Sequence, residues 1–369
     1  MQEYPVKLLR EMLETYSPSG SEETIARMLK GELSSLGFGS HVDRIGNVIA
    51  EAGDSGPEIM FCGHMDTVPG EIPVRLEGGF LYGRGAVDAK SSLAAMIVAA
   101  SQFVKETKAK VRVKLVCVVQ EETSSIGFRE FLSTTKPLGM VVFGEPSRDT
   151  NIIVAYKGRI GLEVECATRG GHAASPWLSK NSAEEAYGFW TSLRREVLFN
   201  ESETKFSSTT GSLTGINTAG PGNSIPARTV LTIDVRLPPA IDPAQILARI
   251  QESAYSYCDA HPGVRLAIST VEQLRGRQSD SASPLVSIYR RAIRSVIGTT
   301  PTFLSKTGSS DMNLLNSRIP AIAYGPGDSK LDHTDNERVS IREYLNSIDV
   351  HSYALRLFSQ QGPAITVPS

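Results

Sequence analysis

Over its first 150 residues the chain alternates short β-branched or apolar runs with helical stretches, and that alternation constrains its fold more than any other feature. The runs are 47–50, 58–62, 111–120 and 139–143, and the clearest helix between them is 91–105 (SSLAAMIVAASQFVK). Such a pattern predicts the α/β class, with a mixed, largely parallel sheet flanked by helices. A further helix at 284–296, a buried strand at 319–324, a polar loop and a final helix from 341 to about 358 extend it. The middle of the chain differs. Residues 158–168 and 229–237 alternate like half-buried strands, each followed by a helical stretch, 182–197 and 243–257. This suits a small α+β module with one open sheet face. A polar stretch at 274–283 (LRGRQSDSAS) marks its exit. The expected organisation is a discontinuous α/β domain, 1–156 plus 273–369, interrupted by an inserted module at 157–272.

Composition narrows the function classes. Lys+Arg 38 against Asp+Glu 40 leaves a net charge of −2 over 369 residues, so no global basic field points to nucleic acid or an anionic membrane. The longest apolar run, 93–100, falls far below the roughly 18 residues of a spanning helix. The first residues carry Glu3, Glu11 and Glu14 beside an apolar stripe of Leu9, Met12, Leu13 and Tyr16, which is helical spacing and no secretory leader. Cys62, Cys117, Cys166 and Cys258 form no CxxC pair, and the first three lie in strand-like runs where buried thiols are expected. A soluble, cytoplasmic chain is expected.

In open parallel sheets ligands bind beyond the carboxyl ends of the strands. After 59–62 comes GHMDTVP, with His64 and Asp66; after 113–120 come Glu121 and Glu122; after 140–143 comes Glu145; after 319–324 the loop GPGDSKLDHTDNE delivers His333. Asp88, in GRGAVDAKSS, directly precedes the 91–105 helix. Each has a bland reading alone: a solvated Glu, an N-capping Asp, a hydrogen-bonded His. Together they are another matter, because converging carboxylates repel unless something positive lies between them, and no Lys or Arg cluster occupies these loops. Imidazole with carboxylate favours zinc or a related first-row divalent metal. Two His and several carboxylates suffice for two metals sharing one carboxylate bridge. No GxSxG elbow, HExxH helix or Walker loop occurs, and GRGAVD misses GxGxxG at Asp88.

At these residues the sequence resembles the co-catalytic zinc metallopeptidase and deacylase family of aminoacylase, succinyl-diaminopimelate desuccinylase, acetylornithine deacetylase and glutamate carboxypeptidase. The resemblance runs in order through GHMDTVP, GRGAVDAK, QEET, FGEPS, GGHAASP, NSIPAR, DVR, TGSSDMN, YGPGD and HTDNE. It implies that His64 and Glu145 hold one metal, Glu122 and His333 the other, and that Asp88 bridges them. Asp66 would fix the His64 tautomer, Glu121 would be the general base, and the Asp88–Ala89 peptide would be cis. His172 would donate to the oxyanion, and in similar enzymes this histidine comes from the inserted module of a partner subunit. The resemblance therefore implies a homodimer formed through that dimerisation and lid module. Asn223 and Arg236 match carboxylate- or oxyanion-binding positions, although Arg236 could equally pair with Asp234. Gly325 and the 308–313 and 325–327 loops would line the pocket, with Lys157 and Lys306 as further candidate contacts.

Within the family, the motifs are most similar to the branch that releases lysine or ornithine from a small acidic amino-group carrier protein, LysW. The bond cut there joins the carrier's C-terminal glutamate side chain to the amine of the amino acid. Arg290, Arg291, Arg294 and Lys306 are then candidates for a basic rim facing that carrier. The implied cofactor is a pair of divalent ions, zinc or cobalt. Two alternatives stand beside this reading: a deacylase for small N-acyl amino acids, and a non-catalytic peptide-binding relative.

Overall fold

The computed structural model describes residues 3–53, 55–106, 111–135, 139–198 and 204–360. The chain divides into two compact units, one of Met1–Val154, Ser279–Leu304 and Ser310–Ser369, the other of Ala155–Gln278 and Ser305–Ser309.

The first unit is built on a mixed sheet. Four neighbouring strands, in the order Arg112–Val118, Glu58–His64, Met140–Phe143 and Ala321–Ala323, run parallel. Val48–Ala52 and Gly39–Val42 extend one side antiparallel, and Asn151–Tyr156 continues the other. Glu58–His64 is buried along its whole length, as a central parallel strand covered on both faces should be. Its Gly63 has a packing reason: a Cβ there would come within 3.0 Å of the Met96 side chain. That methionine belongs to the helix Lys90–Glu106, whose Ser- and Ala-rich sequence is buried on nearly every side and packs against the final helix, Ile341–Gln360. The helix Pro284–Ile297 shows how local chemistry sets an element. Ser283 caps it by accepting from Val286 N–H, Pro284 opens it, and Gly298 closes it at φ +84°.

The parallel strands all end at one edge, which is where the candidate residues follow. The expected fold class is thus the observed one, with element ends moved by a few residues. The cysteines Cys62, Cys117 and Cys166 are buried free thiols and Cys258 is half-buried.

The second unit is a four-stranded antiparallel sheet in the order Thr210–Thr218, Arg228–Leu237, Gly158–Ala167, Arg265–Leu274. Helices Ser182–Leu193 and Pro243–Ala260 cover one face, capped by Asn181 and Asp242. Ile160, Leu162, Val164 and Cys166 alternate inward from the central strand to meet Phe189, Trp190 and Ile250. Two of its strands, Thr210–Thr218 and Arg265–Leu274, go beyond the sequence expectation. Both are outer strands in which a few half-buried apolar residues, Leu213 in one and Leu266 and Ile268 in the other, alternate with exposed polar ones, so the apolar signal that reveals a strand is weak. A separate ribbon pairs Gly171–His172 with Ser224–Ile225.

Candidate metal centre

His64 is the last residue of its strand, and the sheet holds its ring 2% exposed. Its Nδ1 lies 3.0 Å from the backbone carbonyl of Asp66, with the Asp66 carboxylate at 3.5 Å. This partner fixes the ring so that Nε2 faces Asp88 Oδ1 at 3.2 Å. The other oxygen, Asp88 Oδ2, lies 3.2 Å from His333 Nε2. His333 Nε2 in turn lies 3.0 Å from Glu122 Oε1. His64, Asp88 and Glu122 also offer ligand atoms that all lie within 4.8 Å of one another. Two donors each about 2.0–2.1 Å from a tetrahedral cation stand about 3.3 Å apart, so this donor set has the spacing and the chemistry to hold divalent ions.

Asp66 reaches further than its expected part in orienting His64. Its carboxylate accepts from Glu121 N–H at 3.1 Å, from Glu122 N–H at 3.2 Å and from the Ser19 hydroxyl at 2.7 Å. It therefore pins the backbone of the two adjacent acids. That loop is tightly wound, with Gln120 and Ser125 both in the left-handed region at φ +55° and +52°. His333 takes the same region at φ +61°. Non-glycine residues seldom do so, and such backbone gathers at functional sites. The Asp88–Ala89 peptide is cis, as expected.

The electrostatics follow from crowding charged groups in a poorly solvated place. Burial by itself would lower the His64 imidazole, but the Asp66 and Asp88 carboxylates outweigh it and raise the ring well above its ordinary range. Hydrogen bonds donated to the Asp88 and Glu122 carboxylates push His333 up to about 10. For Glu121, burial leads and the charges of Glu145, Asp311 and Glu122 add to it, against His64, so its carboxyl rises well above the usual range. Glu145 follows the strand Met140–Phe143 and is one of the charges Glu121 feels.

Asp311 is a member that residue-by-residue reading missed. It is 2% exposed, follows the 310-helix N-cap Ser310, and is pushed up to about 7 chiefly by burial. Its signal was the TGSSDMN motif, which drew attention to the loop and not to this acid. Gly325 is explained by close approach: a Cβ would overlap the Ser92 hydroxyl and crowd the Glu145 carbonyl, and its N–H meets Ser147 Oγ at 3.2 Å.

The remaining candidates lie in the second unit. His172 and Asn223 come together on the ribbon, where Ala173 N–H donates to the Asn223 carbonyl at 3.0 Å. His172 Nδ1 accepts from Ala174 N–H at 3.0 Å, leaving the exposed ring with its proton on Nε2 when neutral. Arg236 stands elsewhere, on Arg228–Leu237, paired with Asp234 at 2.6 Å and donating to Ser309 Oγ at 3.2 Å. Lys157 is buried and donates to the Ser208 carbonyl. Arg290, Arg291 and Arg294 form the exposed face of their helix.

Comparison with known proteins identifies the family and the fold. The chain is 36% identical over 358 residues to the LysW-lysine hydrolase of Deinococcus radiodurans, covering 95% of each chain. A tripeptidase structure from Staphylococcus aureus superposes with a TM-score of 0.84 at 21% identity, covering 98% of this chain and 99% of that one. A Bacillus subtilis structure described as a dinuclear metal binding peptidase gives 0.74 at 14% identity, covering 96% and 98%. Among the described residues no helix is long and apolar enough to cross a membrane. The profile of peptidase family M20/M25/M40 matches residues 60–357, and with strand-end imidazoles and acids gathered on one sheet edge, the chain belongs to that family of hydrolases.

Proposed function

We propose that this chain is a divalent-cation-dependent amide hydrolase that releases lysine or ornithine from the C-terminal glutamate side chain of the carrier protein LysW. The observation that carries the chemistry is Asp88 between the two imidazoles, one oxygen 3.2 Å from each. The kinship with the Deinococcus LysW-lysine hydrolase supports the substrate. His64 and Glu145 would hold one ion, Glu122 and His333 the other, with Asp88 shared. Zinc or cobalt suits that set of imidazoles and carboxylates. Bound there, the ions supply Lewis acidity that acidifies water and polarises a carbonyl oxygen.

The chain's own residues do the rest. Glu121, its carboxyl raised by burial and neighbouring acids, takes a proton from the attacking water and returns it to the leaving amine nitrogen. Asp66 holds Glu121 in place through its backbone N–H. His172 Nε2–H donates to the oxyanion developing on the amide carbonyl, and we assign it to the site of a second copy in a homodimer. Asn223 is a candidate for the substrate's carboxylate; Arg236 could join it only by giving up the two hydrogen bonds it makes to Asp234, and Gly325 lets the substrate approach the backbone. The inserted module, 157–272, serves as dimerisation and lid domain.

The test is turnover of carrier-linked lysine and ornithine against succinyl-diaminopimelate and acetylornithine by the cation-loaded protein. Hydrolysis confined to the small amides would remove the carrier reading and leave a small-molecule deacylase.

A further inference from the structure

Two buried side chains outside the ligand set, Arg84 and Glu337, are 5% and 1% exposed and lie 253 positions apart in sequence. Strand pairing brings them together. Phe80–Tyr82 runs antiparallel to Arg338–Ser340, which sets the residues just beyond that pairing side by side. Arg84 Nη1 meets Glu337 Oε2 at 2.9 Å.

The remaining valences of the pair all go to backbone of the site loops. Glu337 Oε1 accepts from Val87 N–H at 2.9 Å and from Asp88 N–H at 3.1 Å. Arg84 Nε donates to the Gly70 carbonyl at 2.7 Å, on the loop leaving His64, and Nη1 donates to the Thr334 carbonyl at 3.2 Å, next to His333. A buried ion pair is weak evidence for stability, because desolvating two charges offsets much of their attraction. One whose every other hydrogen bond lands on the segments carrying His64, Asp88 and His333 has a different use. We infer that Arg84 and Glu337 are positioning residues that set the spacing of Asp88 and His333 for cation binding. This rests on the cation site proposed above. The planar guanidinium fork serves three acceptors at once, which an ammonium cannot do in the same directions.

The test uses the full chain, stripped of metal and titrated with Co2+, reading affinity by chelator competition and the visible absorption of the bound ion. Removing an outer partner of this kind costs roughly 10–100-fold in metal affinity. Glu337→Ala removes both backbone acceptors and should show that loss with an altered spectrum. Glu337→Gln restores an oxygen for Val87 and Asp88 and should recover part of it, and Arg84→Lys should fall between wild type and Glu337→Ala. Tyr289→Phe, which removes a buried 2.7 Å hydrogen bond to His351, should lower thermal stability and leave Co2+ affinity unchanged. If Glu337→Ala does not fold, the Gln and Lys variants decide. Wild-type affinity and spectrum in the folded variants would overturn the positioning role, whereas failure of the wild type to bind Co2+ would overturn the cation site itself.

Discussion

Asp88 divides its carboxylate between His64 and His333, presenting one oxygen to each imidazole nitrogen at 3.2 Å. If it bridges two ions as proposed, its loss should be felt by both ligand sets. Asp88→Ala is expected to lower affinity for both ions by at least about 100-fold, the upper end of the cost of losing an outer partner. Calorimetric titration with Zn2+ would show it; loss of one ion with full retention of the other would contradict the shared bridge.

Glu121 neighbours the ligands without being assigned as one. Glu121→Gln should reduce kcat by about 100- to 10,000-fold, the usual worth of a positioned acid or base. Metal content, measured by elemental analysis, should stay at the wild-type level. A variant that keeps its turnover would take the proton transfer away from this residue.

Asp66 should couple the two effects. Its carboxylate holds the N–H groups of both Glu121 and Glu122. Asp66→Ala is therefore expected to lower metal affinity and kcat together, each by about 10–100-fold. A fall in KM-independent turnover with unchanged metal affinity would limit Asp66 to orienting Glu121.

The assignment of His172 to a second copy can be checked by mixing. His172→Ala and Glu121→Gln should each be inactive alone, while subunit exchange between them should return about a quarter of wild-type activity in a twofold dimer. Random pairing makes half the dimers mixed, and each mixed dimer holds one complete site. No recovery after verified exchange would place His172 in its own subunit's site or outside catalysis.

Away from the metal centre, His351 sets a pH dependence of stability. Burial holds its imidazole down to about 3, edge-on to the rings of Phe61, Tyr289 and Tyr324. The unfolded chain takes up this proton below about 6.5 and the folded chain does not until about 3. Its contribution is thus complete above pH 6.5 and is lost as pH falls through that window, at about 1.4 kcal/mol per unit. Urea midpoints from pH 7 to 4.5 should fall less steeply in Tyr289→Phe/His351→Phe than in wild type. Parallel slopes would show that His351 titrates alike in both states.

The sequence was most legible where chain geometry and chemistry coincide. His64 and Glu145 could be located at strand ends because apolar runs end visibly and parallel strands share an edge, which is also why the mixed, largely parallel sheet was readable in the sequence. The outer strands Thr210–Thr218 and Arg265–Leu274 were not, because each turns only a few half-buried apolar residues, such as Leu213, Leu266 and Ile268, to the core among many exposed polar ones. Arg84 was hidden for another reason. Its partner Glu337 lies 253 residues on, and neither periodicity nor spacing reports a pairing made by a small sheet of three-residue strands. Asp311 was similarly silent, since only packing reveals that an acid in a polar loop is excluded from water.

Four of the donors assigned to the ions precede residue 155, and the fifth, His333, arrives only after the whole second unit has been made. On the ribosome, where domains fold as units, His64 and the early acids emerge well before the segments that complete their unit and bring the second imidazole. The assigned set therefore cannot be complete until the last parallel strand, Ala321–Ala323, and the loop after it have been made.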